Sequence, residues 1–391
     1  NEAHDLEFVL NPDRKSYAVR SLGSCRNKKI RVPAYHMDGK PVTVIRDSAF
    51  RNRSEIIGVY LPGTVELVEQ YAFYGCRKLE WIRIPDRATL KESAFACCHS
   101  LKSVTLPSTM TVMERSLLEA CYSLKQVILP KGLRSIGENA FAGCNSLARI
   151  NLPEGLQSIG RSAFKCAGLT ALSVPDSVTS IGDMAFKECM KLEAIRLPAG
   201  LKTLGTMLFD NCLALPKIAL PEGLQTIGNS AFNNCRALTE IRIPDSVSLI
   251  YTNAFSHCIS LKAITLSENL TQLPLTFLRG CTALEKIHIP KNVQTIRSDA
   301  FKGCTSLSLV QAEGAVTIES GAFSDCKRLK AVSFGTALRS IEEAFTGSPD
   351  AAIFYDGTMA EWNAIEAVDL YDGKYSDSAR IICTDGNIPI P

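Results

Sequence analysis

The 391-residue sequence predicts an α/β repeat solenoid, built from coils of 22–23 residues, with a parallel β-sheet along one face and capped ends. Three observations lead there. An Ala-Phe pair returns at a fixed spacing, an alternating apolar segment ending in proline keeps the same spacing, and a cysteine sits three residues after most of the Phe positions.

The Ala-Phe anchor stands at Ala49-Phe50, Ala72-Phe73, Ala94-Phe95, Ala140-Phe141, Ala163-Phe164, Ala185-Phe186, Ala231-Phe232, Ala254-Phe255, Ala300-Phe301, Ala322-Phe323 and Ala344-Phe345. Leu117-Leu118, Leu208-Phe209 and Phe277-Leu278 fill the gaps in register, giving 14 anchors, and 12 of the 16 phenylalanines take the second place of the pair. An internal period of this kind outweighs the ordinary length prior of roughly 100–200 residues per domain.

Within one coil, Cys235 to Phe255, the apolar residues are Cys235, Leu238, Ile241, Ile243, Val247 and Ile250 before the anchor. The Leu-x-x-Ile-x-Ile stretch alternates with period two, so Ile241 and Ile243 are predicted to point inward and Glu240 and Arg242 outward. Each coil is thus expected to give one short strand. Proline closes that strand at positions 62, 85, 107, 130, 153, 175, 198, 221, 244 and 290, where the missing N–H does no harm. The Ala-Phe-x-x-Cys stretch has room for about one helical turn, and glycines 137, 160, 182, 205 and 228 just before it are expected to relieve a tight bend. Since one coil cannot close a core alone, neighbours must stack, about 13 coils at about 4.8 Å each.

Eleven of the 15 cysteines form the row after the anchor, at 76, 98, 121, 144, 189, 212, 235, 258, 281, 304 and 326, with Arg53, Ala167 and Ser348 in the remaining places. Equivalent neighbours and the lack of any C-x-x-C pair point to buried thiols packed as small hydrophobes, not to metal or disulfides. The adjacent Cys97-Cys98 and the offset Cys166 are the ones expected to be reactive, while Cys25 and Cys383 lie outside the row.

Hydrophobic residues at 46% and charged residues at 21% suit a globular core. A net charge of +3 is far from that of a dedicated nucleic-acid binder. No apolar run approaches the roughly 20 residues of a membrane span, and Asn1-Glu2-Ala3-His4-Asp5 is no signal peptide. A chain opening on Asn reads as a processed or truncated product whose targeting segment lies elsewhere. Residues 1–45 read as a strand-rich N-terminal cap, 46–348 as the solenoid and 349–391 as a C-terminal cap.

The pattern Cys-x-x-Leu-x-x-Ile-x-Leu-Pro followed by Leu-x-x-Ile-Gly-x-x-Ala-Phe, as from Cys144 to Phe164, resembles the BspA-like, or Treponema pallidum-type, bacterial leucine-rich repeats. The resemblance covers about three quarters of the chain and implies a leucine-rich-repeat right-handed superhelix. Tyr355-Asp356-Gly357-Thr358, Glu361-Trp362-Asn363 and Cys383-Thr384-Asp385-Gly386 look like the segment that closes such arrays in gut Firmicutes. The resemblance implies a secreted or surface-displayed protein that binds rather than catalyses, several relatives being implicated in adhesion. The chain departs from a sortase-anchored protein in lacking Leu-Pro-x-Thr-Gly; Leu61-Pro62-Gly63-Thr64-Val65 and Leu106-Pro107-Ser108-Thr109-Met110 are repeat units.

The sequence offers little to chemistry. Five histidines, at 4, 36, 99, 257 and 288, include no H-E-x-x-H, and no phosphate-binding loop, nucleophile elbow or dinucleotide fingerprint is present. No enzyme activity, cofactor or metal is expected.

Binding residues are sought among the outward strand positions, which are free to vary. They hold Arg83, Arg149, Arg196, Lys217, Arg242 and Lys286 against one acid, Glu240, so the face is five charges positive, with Tyr60, Trp81 and His288 beside them. This face is predicted to take an anionic ligand, an acidic protein segment or a charged glycan, through bidentate arginines and aromatic stacking. The sequence therefore reads as a monomeric, non-catalytic extracellular binding or adhesion module. The alternative is a structural spacer in a larger surface protein.

Overall fold

A computed structural model describes residues 5–365, 367–370 and 379–389. They fall into two compact units, Asn1–Pro198 and Ala199–Pro391. Asn1–His4 of the expected N-terminal cap, and residues 366, 371–378 and 390–391 of the expected C-terminal cap, lie outside the described residues.

Each unit stacks coils through two ladders of parallel strands, where the sequence predicts one. In the first unit the alternating segment forms Lys29–Arg31, Gly58–Tyr60, Trp81–Arg83, Ser103–Thr105 and Gln126–Ile128, hydrogen-bonded in that order, while Ala171–Ser173 pairs with Ala194–Arg196. Ile30, Val59 and Ile82 are in register and buried, as a half-buried strand requires. The second ladder comes from the Leu-x-x-Ile stretch. It runs through Val42–Ile45, Leu67–Val68 and Thr89–Leu90, and separately through Val112–Met113, Ser135–Ile136, Ser158–Ile159 and Ser180–Ile181. Strands of two residues are too short to leave an alternation in the sequence. At the start of the first unit, Glu7–Leu10 and Tyr17–Ser21 form an antiparallel pair joined to Val42–Ile45.

The second unit repeats the plan. Lys286–His288, Leu309–Ala312, Ala331–Phe334, Ala352–Tyr355 and Arg380–Cys383 run parallel, and Gly386–Pro389 returns antiparallel. Glu240–Arg242 pairs with Ala263–Thr265, but Lys217–Ala219 forms no strand; Pro216 just before it lacks the N–H for a ladder bond. The three segments singled out near the C-terminus meet. The Thr384 N–H donates to the Gly357 carbonyl at 3.0 Å, the Met359 N–H to Asp385 Oδ1 at 2.8 Å, and Trp362 packs edge-on to Tyr355.

The α/β class and the helical turn at the anchor need correcting. Among the described residues the one α-helix is Met359–Asn363, capped by Thr358 and Glu361; the anchor stretches are chains of turns. Their hydrogen bonds explain why. Between Glu69 and Cys76 the N–H groups of Ala72, Tyr74 and Cys76 bond three residues back, while those of Tyr71, Phe73 and Gly75 bond Glu92, Ala94 and Ala96 in the next coil. Half the donors a helix would need are thus spent between coils. Left-handed residues flank the anchors, as Ser93 (φ 55) and Cys97 (φ 58) flank Ala94-Phe95, and such residues interrupt a right-handed helix.

Proline's role is as expected. The carbonyls of Pro62, Pro130, Pro175 and Pro244 each accept the N–H three residues on at 2.9–3.1 Å, opening a turn directly after the strand. The anchor phenylalanines are fully buried and stack coil on coil, Phe50 on Phe73 at 5.0 Å and Phe141 on Phe164 at 5.2 Å in the first unit, Phe232 on Phe255 at 5.1 Å in the second. Gly137 and Gly160 serve close approach. A Cβ on Gly137 would lie 2.5 Å from the Met113 carbonyl oxygen, and one on Gly160 2.7 Å from the Glu138 nitrogen.

The cysteines of the row are buried thiols that form no disulfides. Each thiol has a job: Cys76 donates to the Phe50 carbonyl at 3.1 Å, Cys98 to Phe73 at 3.2 Å, and Cys258 to Phe232 at 3.1 Å. Ser348 replaces the thiol with a hydroxyl and makes the same bond to Phe323, at 2.7 Å. Burial pushes Cys76 up to about 12, so these groups stay protonated and inert. Of the three expected to react, Cys98 is not suited to it, being fully buried and pushed well above the ordinary thiol range by that burial, while Cys97 and Cys166 are half-buried. Cys166 donates to Glu188 Oε2 at 3.0 Å, and burial, then that carboxylate, lift it to about 11.

Candidate binding face

The parallel strands of the first ladder present every second side chain to solvent, so this face is where residues are free to differ. In the first unit it holds three distinct stretches of surface. The first is aromatic and basic. Arg31, Tyr60 and Arg83 are in register on adjacent strands, and the guanidinium carbons of Arg31 and Arg83 lie 4.8 Å and 5.2 Å from the Tyr60 ring centre. Trp81, 40% exposed, leans over Gly58; a Cβ on Gly58 would fall inside the indole, so glycine is what lets the ring lie flat. Among the described residues neither Arg31 nor Arg83 has a carboxylate within ion-pair distance.

The second stretch, from Ser103–Thr105 to Gln126–Ile128, is uncharged, with Ile128 exposed. The third is a groove of about 960 Å³ whose floor is made of small residues, Ala171, Ser173 and Ala194, and whose walls include Arg149, Glu154, Asp176 and Arg196. It exists because three outward positions in a row carry side chains too short to fill it. Arg196 bonds Asp176 at 2.5 Å and the Val174 carbonyl at 3.1 Å. Arg149, expected on a strand, lies in a segment, 149–151, that forms none; it is exposed, with no carboxylate within ion-pair distance among the described residues.

In the second unit Lys217, Glu240, Arg242, Lys286 and His288 are all exposed on the corresponding positions. Two of its three basic residues are neutralised: Lys217 pairs with Glu240 at 2.6 Å and Arg242 with Glu222 at 2.8 Å. The acids that temper the face, Asp176 and Glu222, sit directly after the strand-closing prolines, one turn outside the rows from which the charge of the face is read. Lys29 and Arg31 were missed for a complementary reason. Their Lys-Ile-Arg alternation is legible as a strand, but it lies before the first anchor and so falls in the segment read as a cap.

On the second ladder of the first unit, Asp47, Glu69, Glu92 and Glu114 line an acidic hollow of about 460 Å³ with Lys91. Among the described residues, no group of three His, Cys, Asp or Glu side chains is placed to hold a metal ion, and no helix is long and apolar enough to cross a membrane.

A family model described as BspA type leucine rich repeat region, in six copies, matches residues 43–166, 157–283 and 275–352. Among solved structures the chain is similar to a leucine rich cell surface protein of Faecalibacterium prausnitzii, 26% identical over 93% of this chain and 97% of that one, with a TM-score of 0.58. It shares its fold with a leucine-rich repeat protein of Bacteroides ovatus, 21% identical over 97% and 98% of the two chains, TM-score 0.51. The pneumococcal vaccine antigen PcpA, 16% identical over 98% of each chain, gives 0.54. No curated protein matches the chain.

Proposed function

We propose, from the premise that the chain belongs to the BspA-type leucine-rich-repeat family, that it is a non-catalytic extracellular binding module of a bacterial surface or secreted protein. The observation that carries this reading is the contrast between the two sides of each face strand. The inward positions repeat, whereas the outward ones change from coil to coil and open a groove of about 960 Å³ between Arg149 and Arg196. A face selected for solubility alone would not need a floor of Ala171, Ser173 and Ala194.

The proposed contact residues of the first unit are Tyr60, Trp81, Arg83, Arg149 and Arg196. Lys217, Glu240, Arg242, Lys286 and His288 are the corresponding candidates of the second unit, where ion pairing leaves less free positive charge. The ligand class is a protein or an acidic glycan, and the surface location is supported by the cell-surface relative from Faecalibacterium prausnitzii. The chain acts as a monomer in this reading, with residues 1–45 and 349–391 covering the exposed cores of the terminal coils.

The test is a capture screen of the purified chain against immobilised extracellular-matrix proteins and acidic polysaccharides at low and physiological salt. Capture that weakens with salt and is lost in Arg149→Glu with Arg196→Glu supports the reading. A chain that captures none of the panel would leave a spacer as the better description.

A further inference from the structure

We infer that the Arg31–Tyr60–Arg83 stack, with Trp81 beside it, is the seat for an acidic segment of a partner protein, taking two carboxylates held about 10 Å apart, two strand spacings. The inference rests on the binding reading above and gives that face a place and a ligand chemistry.

The geometry sets the chemistry. Tyr60 receives guanidinium groups from the strands on both sides, at 4.8 Å and 5.2 Å. A guanidinium carries five N–H donors, and one whose charge is held over a ring keeps an N–H edge for a further partner. Each edge can therefore grip a carboxylate with two parallel bonds. Stacking also fixes both side chains before a ligand arrives, which lowers the entropy lost on binding. Elsewhere on the sheet faces Arg196 and Arg242 are already answered by Asp176 and Glu222. Arg31 and Arg83 are not, and Lys29 adds a third cation in register with Gly58 and Trp81.

A polypeptide fits better than a polysaccharide. With guanidiniums from the strands on both sides of Tyr60, one aromatic platform, Trp81, remains; a half-buried tyrosine among exposed tryptophan and arginine is the composition of a protein-binding hot spot. A polyproline-II chain, the extended form with three residues per turn, advances about 3.1 Å per residue and brings every third side chain to the same side. Acids three residues apart would therefore reach the two guanidiniums, with an apolar side chain between them lying on Trp81.

The experiment is a titration of the full chain with a blocked, fluorescein-labelled peptide carrying two glutamates three residues apart and one leucine between them. Its glutamine counterpart and a sulfated oligosaccharide are the controls. Binding is read by anisotropy and by Trp81 emission, the other tryptophan, Trp362, being buried. The expected result is salt-sensitive binding that falls roughly tenfold in Arg31→Gln with Arg83→Gln, falls in Trp81→Ala, and stays within about twofold for Arg297→Gln, which removes an arginine ion-paired with Glu319 and outside the proposed contact residues. All these side chains are exposed, and an unchanged melting temperature shows that the variants fold. Binding that is absent, that persists in the double variant, or that favours the oligosaccharide overturns the assignment. If the double variant still captures a partner that Arg149→Glu with Arg196→Glu loses, this seat falls while the binding reading stands.

Discussion

The thiol of Cys144 donates to the main-chain carbonyl of Leu118, 3.2 Å away in the preceding coil. Leu118 occupies a place that phenylalanine fills in most coils, yet the bond is the same as that from Cys76 to Phe50. What the thiol recognises is therefore the backbone, and the side chain at the anchor is free to vary in shape so long as it fills the core.

Cys144→Ser should keep that bond, as Ser348 does naturally, and lower stability less than Cys144→Ala, which leaves a carbonyl one partner short and a void beside it. Denaturant unfolding of the two variants checks the order.

Alkali should destabilise the fold through the same row. Burial raises Cys144 and Cys304 from 9.0 to about 12, so the unfolded chain gives up its thiol protons first. The stability held in the neutral thiols is complete below about pH 9 and is lost as pH climbs toward about 12. The melting temperature should fall across that window, and fall less steeply in Cys144→Ser with Cys304→Ser; parallel curves would contradict the account.

Phe232 is fully buried between Phe209 and Phe255, at 5.3 Å and 5.1 Å. Phe232→Ala should cost about 3–5 kcal/mol, measured by urea titration. A variant as stable as the parent would show that neighbouring coils collapse into the gap.

Gly160→Ala should destabilise by about 1–3 kcal/mol, because its Cβ would press on the Glu138 nitrogen. Gly132→Ala, where nothing lies within 4 Å, should be neutral or slightly stabilising. The contrast in thermal unfolding isolates close approach from glycine's general flexibility.

Asp176→Asn frees Arg196 of its counter-ion. Both side chains are more than half exposed, so stability should move by less than about 1 kcal/mol. Capture of an anionic partner in the groove should strengthen severalfold. Unchanged or weaker capture would mean that the pair, and not the bare cation, shapes the site.

The core of this fold was open to reading because its signal is repeated. One Phe50 says little, but its recurrence down to Phe345 fixes the coil length, the register and the inward direction of Ile241 and Ile243. The second ladder escaped because Ser135–Ile136 is two residues long, and the anchor was misread because Ala-Phe-x-x-Cys has helical length. Whether its N–H groups bond within a coil or to the next is not written in one coil. The strand face was legible in its direction, since Arg83 and Arg149 stand exposed as expected, but not in its charge. Asp176 and Glu222 reach it from the turns, and Arg31 from before the first anchor.

Phe73 and Gly75 bond forward to Ala94 and Ala96, so the bonds that hold one coil to the next lie along the stacking direction. Under tension applied through the chain, such a stack gives way like a seam, one coil after another, and each lost coil pays out about 75 Å of slack, some 23 residues of extended backbone. A tether of this design would lengthen by a coil at a time instead of letting go, blunting sudden loads on whatever is held at its far end.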